Sequence, residues 1–464
     1  METQKNDFSQ GSVAKAIVRL AVPMAFGQLI SIAYNIVDRM YIGHIPDGRL
    51  AFTGMGITLP LISLLLGFAN LVGSGGAPLC SIARGRGDQR EAEHIIGNAF
   101  MLIVLLGAVL TAVCLIFKRP LLYLFGASDA TYAYADSYIT VYVLGTVFAM
   151  ISFGMNPFIN AQGFGKTGML TIALGAVINI VLDPVFIFVF NMGVAGAALA
   201  SVISQAASAF WVIRFLTGNK VILKLRVRHL ALRVATVGRI AALGVAGFVM
   251  FLTNSLVQIV CNKTLLLYGG DLYVSIMTVI NAIREVASVG LMGIVSGTIP
   301  VLSYNYGARQ YSRILKGIRF STTAGLIAGA IPWALIMLFP AVFIRIFNSD
   351  PELLAHGVPA FRIYFATFFF MTFQMAGQTV SQALGKAKSA IFFSLLRKAF
   401  IVAPLAVILP RLWGLGPNGV FLAEPVSNVV GGLACFITMI FIAYLPLRRE
   451  ACLSETTDKQ VPVL

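Results

Sequence analysis

Along this chain, polar residues gather in short clusters, and the stretches between them are apolar on every helical face. A helix that is apolar all round is either deeply buried or faces lipid, and about 20 such residues cross a ~30 Å hydrocarbon core. Twelve stretches qualify, near 15–42, 50–76, 94–117, 134–160, 168–190, 194–216, 239–262, 272–302, 319–344, 358–383, 389–410 and 418–445. The pattern predicts an all-α integral membrane protein with twelve transmembrane helices. The first stretch is too long for a signal-peptide core and no small-residue cleavage site follows it, so it is expected to remain as a helix.

The pattern also repeats. AQGFGK at 161–166 matches SQALGK at 381–386, and Pro184 faces Pro404, both at a shift of 220. Pro78, Ser81 and Gly85 face Pro300, Ser303 and Gly307 at 222, and GVAGAALAS at 193–201 faces GPNGVFLAE at 416–424 at 223. Four stretches at nearly one offset indicate duplication. The expected organisation is an N-terminal lobe over 1–216, a basic cytoplasmic linker over 217–239, and a C-terminal lobe over 240–464 that ends in a cytoplasmic tail. Six spans per lobe give both copies one orientation, related by an axis along the membrane normal. Parallel halves of this kind occur in secondary transporters, where the substrate path lies between them.

Composition sharpens the class. Hydrophobic residues make up 58% of the chain and charged ones 11%, with 34 Phe. That excludes an ordinary soluble domain and a disordered one. The net charge of +16 would suggest nucleic acid in a soluble protein, but its distribution argues otherwise. The termini and the loops on their side hold 23 of the Lys and Arg residues against 6 on the other side, which predicts cytoplasmic termini. The remaining five, Arg39, Arg284, Arg362, Arg397 and Lys398, lie within or close to spans. The run Lys220, Lys224, Arg226, Arg228, Arg233 and Arg239 reads as a loop facing lipid headgroups, and no nucleic-acid partner is expected. The five Cys include no C-x-x-C pair, and none of the four His pairs at metal-ligand spacing, so neither a disulfide framework nor a zinc enzyme is implied. GFGKTG at 163–168 lacks the first Gly of a P-loop, because Asn160 stands there, and a helix precedes it instead of a strand. Without an ATP site, an ion gradient is the available energy source.

Ionisable groups at membrane depth are costly and mark candidate sites. Asp38 lies in the first span; Asn179 and Asp183 share a helical face in the fifth; Ser201 opens the sixth. Together they offer an all-oxygen cluster suited to a hard cation, while two adjacent carboxylates would also carry a proton. Their placement leaves Na+ and H+ open. The bland alternative is that both Asp residues simply end their helices near headgroups. Cys261 and Ala403 occupy their places in the second half, however, so the fold itself does not require the acids. In that half, Arg284 and Glu285 lie within the eighth span, Gln374 and Gln378 form a stripe with Gln382 on the tenth, and Gln258 lies on the seventh. These amides serve either as glue between helices or as contacts to a substrate.

LAVPM at 20–24, YNIVDRMYIG at 34–43, NIVLDP at 179–184, GVAGAALAS and the paired QGFGK and QALGK segments resemble the multidrug and toxic compound extrusion (MATE) family, over nearly the whole chain. The resemblance implies two six-helix lobes around a central cavity that opens alternately to either side. It implies an antiporter, not an enzyme, which exports amphipathic, often cationic small molecules as H+ or Na+ enters, with no cofactor and no metal beyond that possible Na+. The family's ion site falls on Asp38, Asn179, Asp183 and Ser201, its bending proline on Pro23 and its cavity tyrosine on Tyr34. Acidic residues used by other branches on the seventh and tenth helices are missing, which favours the bacterial DinF/MepA-like branch, a bacterial plasma membrane and a monomer. The alternatives are a flippase for a lipid-linked or amphipathic precursor, and an integral-membrane enzyme. The flippase would call for a cavity rich in Arg and Lys, and the enzyme for a convergent nucleophile or metal set.

Overall fold

The computed structural model describes residues 6–45, 48–347, 350–412 and 414–458. Both chain ends expected on the cytoplasmic side, 1–5 and 459–464, lie outside the described residues, as does the side chain of Arg39. Within them the chain is helical. In the first half the helices are α1 (Val13–Gly43), α2 (Gly48–Gly85), α3 (Gln89–Leu124), α4 (Asp129–Leu144), α5 (Thr146–Ala161), α6 (Gly165–Pro184) and α7 (Gly193–Thr217). The second half holds α8 (Val234–Ala287), α9 (Val289–Gly307), α10 (Tyr311–Leu338), α11 (Pro340–Arg345), α12 (Pro351–Phe365), α13 (Met371–Ala383), α14 (Ala387–Leu395), α15 (Ala403–Ile408), α16 (Pro417–Met439) and α17 (Leu445–Asp458).

Among the described residues ten helices are long and apolar enough to cross a membrane, or eleven when α4 and α5, which meet at 59°, count as one bent span, against the twelve expected. At 54 residues α8 would run about 80 Å, far beyond one crossing. It breaks at Gly270 (φ 69°) and so holds the expected span 239–262 and the first part of 272–302, which continues into α9. Side chains that a soluble protein would bury point outward. On α3, Leu105, Val109, Val113 and Ile116 form an exposed stripe, with Ile116 72% exposed, which only lipid covers without cost.

The chain divides into two compact units. One holds Pro23–Phe248 and the start of the chain through Asp7, and the other holds Phe8–Val22 and Val249–Leu464. The first ten residues of α1 thus belong to the second unit, and α8 as far as Phe248 to the first. Small residues make both arrangements possible. A Cβ on Gly75 of α2 would lie 2.1 Å from the Ile240 carbonyl oxygen of α8, and one on Gly297 of α9 would lie 2.6 Å from the Ile17 carbonyl oxygen of α1. These are the close backbone approaches that glycine permits in membrane helices. Gly75 and Gly297 correspond at a shift of 222, as do the helix ends Ala161 and Ala383 and the left-handed Gly163 and Gly385 that follow them. The pairing of QGFGK with QALGK at 220 is therefore displaced by two residues.

The basic stretch after α7, expected to face headgroups, is docked in part on the protein. Arg226, Arg228 and Arg233 are exposed, but Val221, Leu223 and His229 are buried against the first unit. Gln162 Oε1 accepts hydrogen bonds from the amides of Ile222 (3.0 Å) and Leu223 (2.8 Å), and Asn98 Oδ1 accepts one from the amide of Arg233 (2.7 Å). His229 packs on His94 with ring centroids 4.1 Å apart and planes tilted by 45°, and Glu93 pairs with Arg226 at 3.3 Å. Backbone polar groups of this loop are satisfied by protein, which ties it down.

Candidate functional site

Four helices of the first unit bring oxygen-bearing side chains together. Asn179 and Asp183 are one turn apart on α6, and Asn179 Nδ2 donates to Asp183 Oδ1 at 3.2 Å and to Ser201 Oγ of α7 at 3.4 Å. Asp38 of α1 reaches the Asp183 carboxyl at hydrogen-bonding range. All but Ser201 are buried, Asp183 completely. The local cause on α6 is Pro184, which has no N–H to return to the previous turn. Beyond it the helix widens into a π turn over Val185–Val189, a feature that recurs at functional sites.

Two carboxyl groups in contact and out of water cannot both stay charged alone. One holds a proton, or a cation sits with them. Asn179 Oδ1 and Asp183 Oδ2 are buried without a hydrogen-bond donor among the described residues, so acceptor capacity remains. The donor set is all oxygen plus one amide, which fits a hard monovalent cation or a proton and not a soft metal. Among the described residues no three His, Cys, Asp or Glu side chains group as a metal site.

Two members of this cluster, both tyrosines of α4, escape a reading of the sequence. Tyr138 of α4 bonds Ser201 and lies within electrostatic reach of Asp38. Tyr142 stacks beside it with centroids 6.0 Å apart and accepts a hydrogen bond from Gln205 Nε2 at 3.1 Å. The i,i+4 spacing of the two tyrosines within an apolar segment was the available signal. Tyr34 joins the same group, within electrostatic reach of Asp38 and Asp183.

The other candidates are dispersed. Gln374 and Gln378 are buried on α13, where Gln378 Nε2 meets Met250 Sδ at 3.7 Å. Gln258 and Glu285 are exposed on α8, Arg284 is half-buried, and Pro23 is buried in α1 where the two units divide the helix. A second group of charges, which the sequence alone did not bring together, lies at depth in the second unit. Arg397 and Lys398, on the π-helical continuation of α14 over Leu396–Val402, are buried against Glu424 of α16. Lys398 Nζ donates to both carboxylate oxygens at 3.0 and 3.1 Å, Arg397 reaches the same carboxylate at 3.2 Å, and Arg397 also donates to Asn428 Oδ1. Three charges of mixed sign, divided between two apolar segments, left no local pattern.

The MatE family profile matches residues 23–185 and 247–408. The chain is 24% identical over 438 residues to the multidrug export protein MepA of Staphylococcus haemolyticus, covering 94% of each chain. The MepA of Staphylococcus aureus strain NCTC 8325 is 24% identical over 446 residues, covering 94% of this chain and 95% of its own. Among solved structures, a crystal structure of MATE in complex with MaL6 superposes with a TM-score of 0.89 at 22% identity, over 96% of this chain and 98% of that one. An outward-facing multidrug resistance MATE family transporter of the MOP superfamily gives 0.88 at 22% identity, over 95% and 97%. These likenesses establish the fold.

Proposed function

The chain belongs to the MatE family of transporters, multi-pass membrane proteins and not enzymes, and from that premise we propose that it is a multidrug exporter driven by entry of H+ or Na+. The observation that carries the coupling is the contact between Asp38 and Asp183. With a proton or Na+ bound, the pair is partly neutralised and tolerates a dry surrounding. With the ion gone, a bare charge at membrane depth costs at least ~2.5–3.5 kcal/mol, which favours a state in which water reaches it. Asn179 and Ser201 complete the ion's shell. Pro23, lacking an N–H, gives the part of α1 that carries Asp38 a place to bend.

Export then requires that ion and drug favour opposite-facing states or compete for one. Amphipathic, often cationic small molecules, as the family resemblance implies, are the proposed cargo, with Tyr34, Gln258, Arg284, Glu285, Gln374 and Gln378 as candidate contacts. The excess of Lys and Arg on the side of the termini supports cytoplasmic ends, and the bacterial relatives support a bacterial plasma membrane. A monomer suffices, since both halves of the duplication lie in one chain.

The test uses proteoliposomes loaded with a fluorescent cation, with Na+ and H+ gradients imposed separately. Efflux is expected under one gradient, and the gradient that works names the ion. Efflux under neither would overturn antiport, and normal efflux by Asp38→Asn at matched folded protein would reject the site.

A further inference from the structure

We propose that the second unit holds an anion site, built from Arg284, Arg397 and Lys398 around Glu424, which takes chloride or a single carboxylate group. Three cations face one carboxylate here. Lys398 and Arg397 contact Glu424 directly, and Arg284 of α8 lies within electrostatic reach of Glu424 and Lys398. Glu285 adds little inside the cluster, because i,i+1 neighbours point about 100° apart on a helix and its side chain is exposed.

The hydrogen-bond inventory points the same way. Glu424 already accepts from Lys398 on both oxygens and from Arg397. Arg397 spends one further N–H on Asn428 Oδ1. Even so, the Nε groups of Arg284 and Arg397 are buried without an acceptor among the described residues, and Arg397 is only 4% exposed. A guanidinium cannot shed its proton, and a buried N–H left without an acceptor costs free energy. A small anion supplies both the missing charge and the missing acceptor. Arg397 and Lys398 are too enclosed to meet a bulky headgroup, which limits the ligand to a monatomic ion or the end of a carboxylate.

The duplication adds an independent argument. Cys261 and Glu424 stand where the first half has Asp38 and Ser201, and Tyr364 stands where it has Tyr142. The place that gathers acids in one copy gathers bases in the other, so the ligand it selects has the opposite sign. This inference does not rest on the proposed coupling at Asp38, because its test reads binding and not transport.

The experiment follows the melting temperature of the purified full chain while chloride, or acetate, replaces gluconate at constant ionic strength. Wild-type protein is expected to gain stability saturably. Arg284→Gln removes a donor that has no partner to orphan, so the fold should persist while the apparent anion affinity falls about tenfold, the loss of one charge-assisted hydrogen bond. Glu424→Gln removes the internal anion and is expected to tighten binding several-fold. A merely structural cluster would lose stability in both variants with no anion dependence. A response to chloride with acetate inert assigns a halide site, and a response to acetate assigns a carboxylate site. No anion-dependent shift in wild type, or an unchanged one in Arg284→Gln, overturns the proposal.

Discussion

The first unit sets two carboxyl groups among amide and hydroxyl oxygens, whereas the second sets three cations around one carboxylate, on helices that hold matching places in the repeat. α6 answers to the run from α14, α7 to α16, and α1 to α8. What the copies share is backbone architecture: Pro184 and Pro404, Gly75 and Gly297, and π-helical turns near both clusters. What they do not share is charge. Residues that set helix packing are constrained by backbone contact in both copies, while a side chain that points into a cluster is constrained only by what it binds. A duplicated fold thus separates scaffold from chemistry.

The contrast breaks most visibly in transport. Asp183→Asn should reduce gradient-driven efflux to background with folded protein retained, because Asn cannot exchange a proton and loses the charge that attracts a cation. Glu424→Gln should keep its dependence on the driving ion. Equal loss in both variants, read as initial efflux rates in proteoliposomes, would make the two clusters one coupled system.

Stability should show the reverse order. Lys398→Ala leaves Glu424 short of its main partner and is expected to cost about 3–5 kcal/mol, while Lys398→Met combined with Glu424→Gln should recover much of it, since apolar or neutral replacement of a whole buried pair is often tolerated. Asp38→Asn, by contrast, relieves like charge and should be neutral or stabilising. Thermal unfolding in detergent checks all three. A stable Lys398→Ala protein would mean that the pair is hydrated.

Where the copies agree, they should respond alike. Gly75→Val and Gly297→Val each force a side chain against a carbonyl oxygen of the neighbouring helix, and each should lower stability by about 1–3 kcal/mol. A loss confined to one of them would show that the matching contacts are not equally tight.

The smallest expected effect belongs to the docked loop, which only the first unit carries. Burial, with help from neighbouring His94, Arg228 and Arg226 and opposed by Glu93, holds His229 below its ordinary pKa of about 6.5. Arg233, bonded to His94, adds to the positive surroundings. The sign follows from linkage. The undocked loop takes up a proton first, so docking is fully favoured above pH ~6.5 and weakens as the pH falls below it toward the depressed value. Cleavage of the loop by a protease active across that range should rise on acidification in wild type and rise less in His229→Gln, where the neighbouring His94 still titrates.

Much of this was legible in one dimension. Asp38, Asn179, Asp183 and Ser201 stand out because polar groups inside apolar runs are rare, and the spacing of Asn179 and Asp183 already put them on one face. Tyr138 and Tyr142 were overlooked because tyrosines are common in such helices and nothing local ties them to Asp38. Arg397 and Lys398 were placed within or close to a span, but their pairing with Glu424 was missed for a related reason. The partner lies on another helix and no local pattern points to it. The His94–His229 pair was invisible to a search for ligand spacing, since its members come from α3 and from the loop after α7.

By itself the sequence determined the membrane class, the all-helical build, the duplication and the polar residues of the acidic pair. Each of these is written in local composition or in a fixed shift, and needs no knowledge of neighbours. Only the tertiary structure decided that α1 and α8 are each divided between the units, which tyrosines attend the carboxylates, and that the second unit buries an excess of positive charge. These depend on which helix faces lie together. That is settled by packing between residues far apart in the chain, through contacts such as Gly75 on Ile240 and Gly297 on Ile17 that no periodicity records.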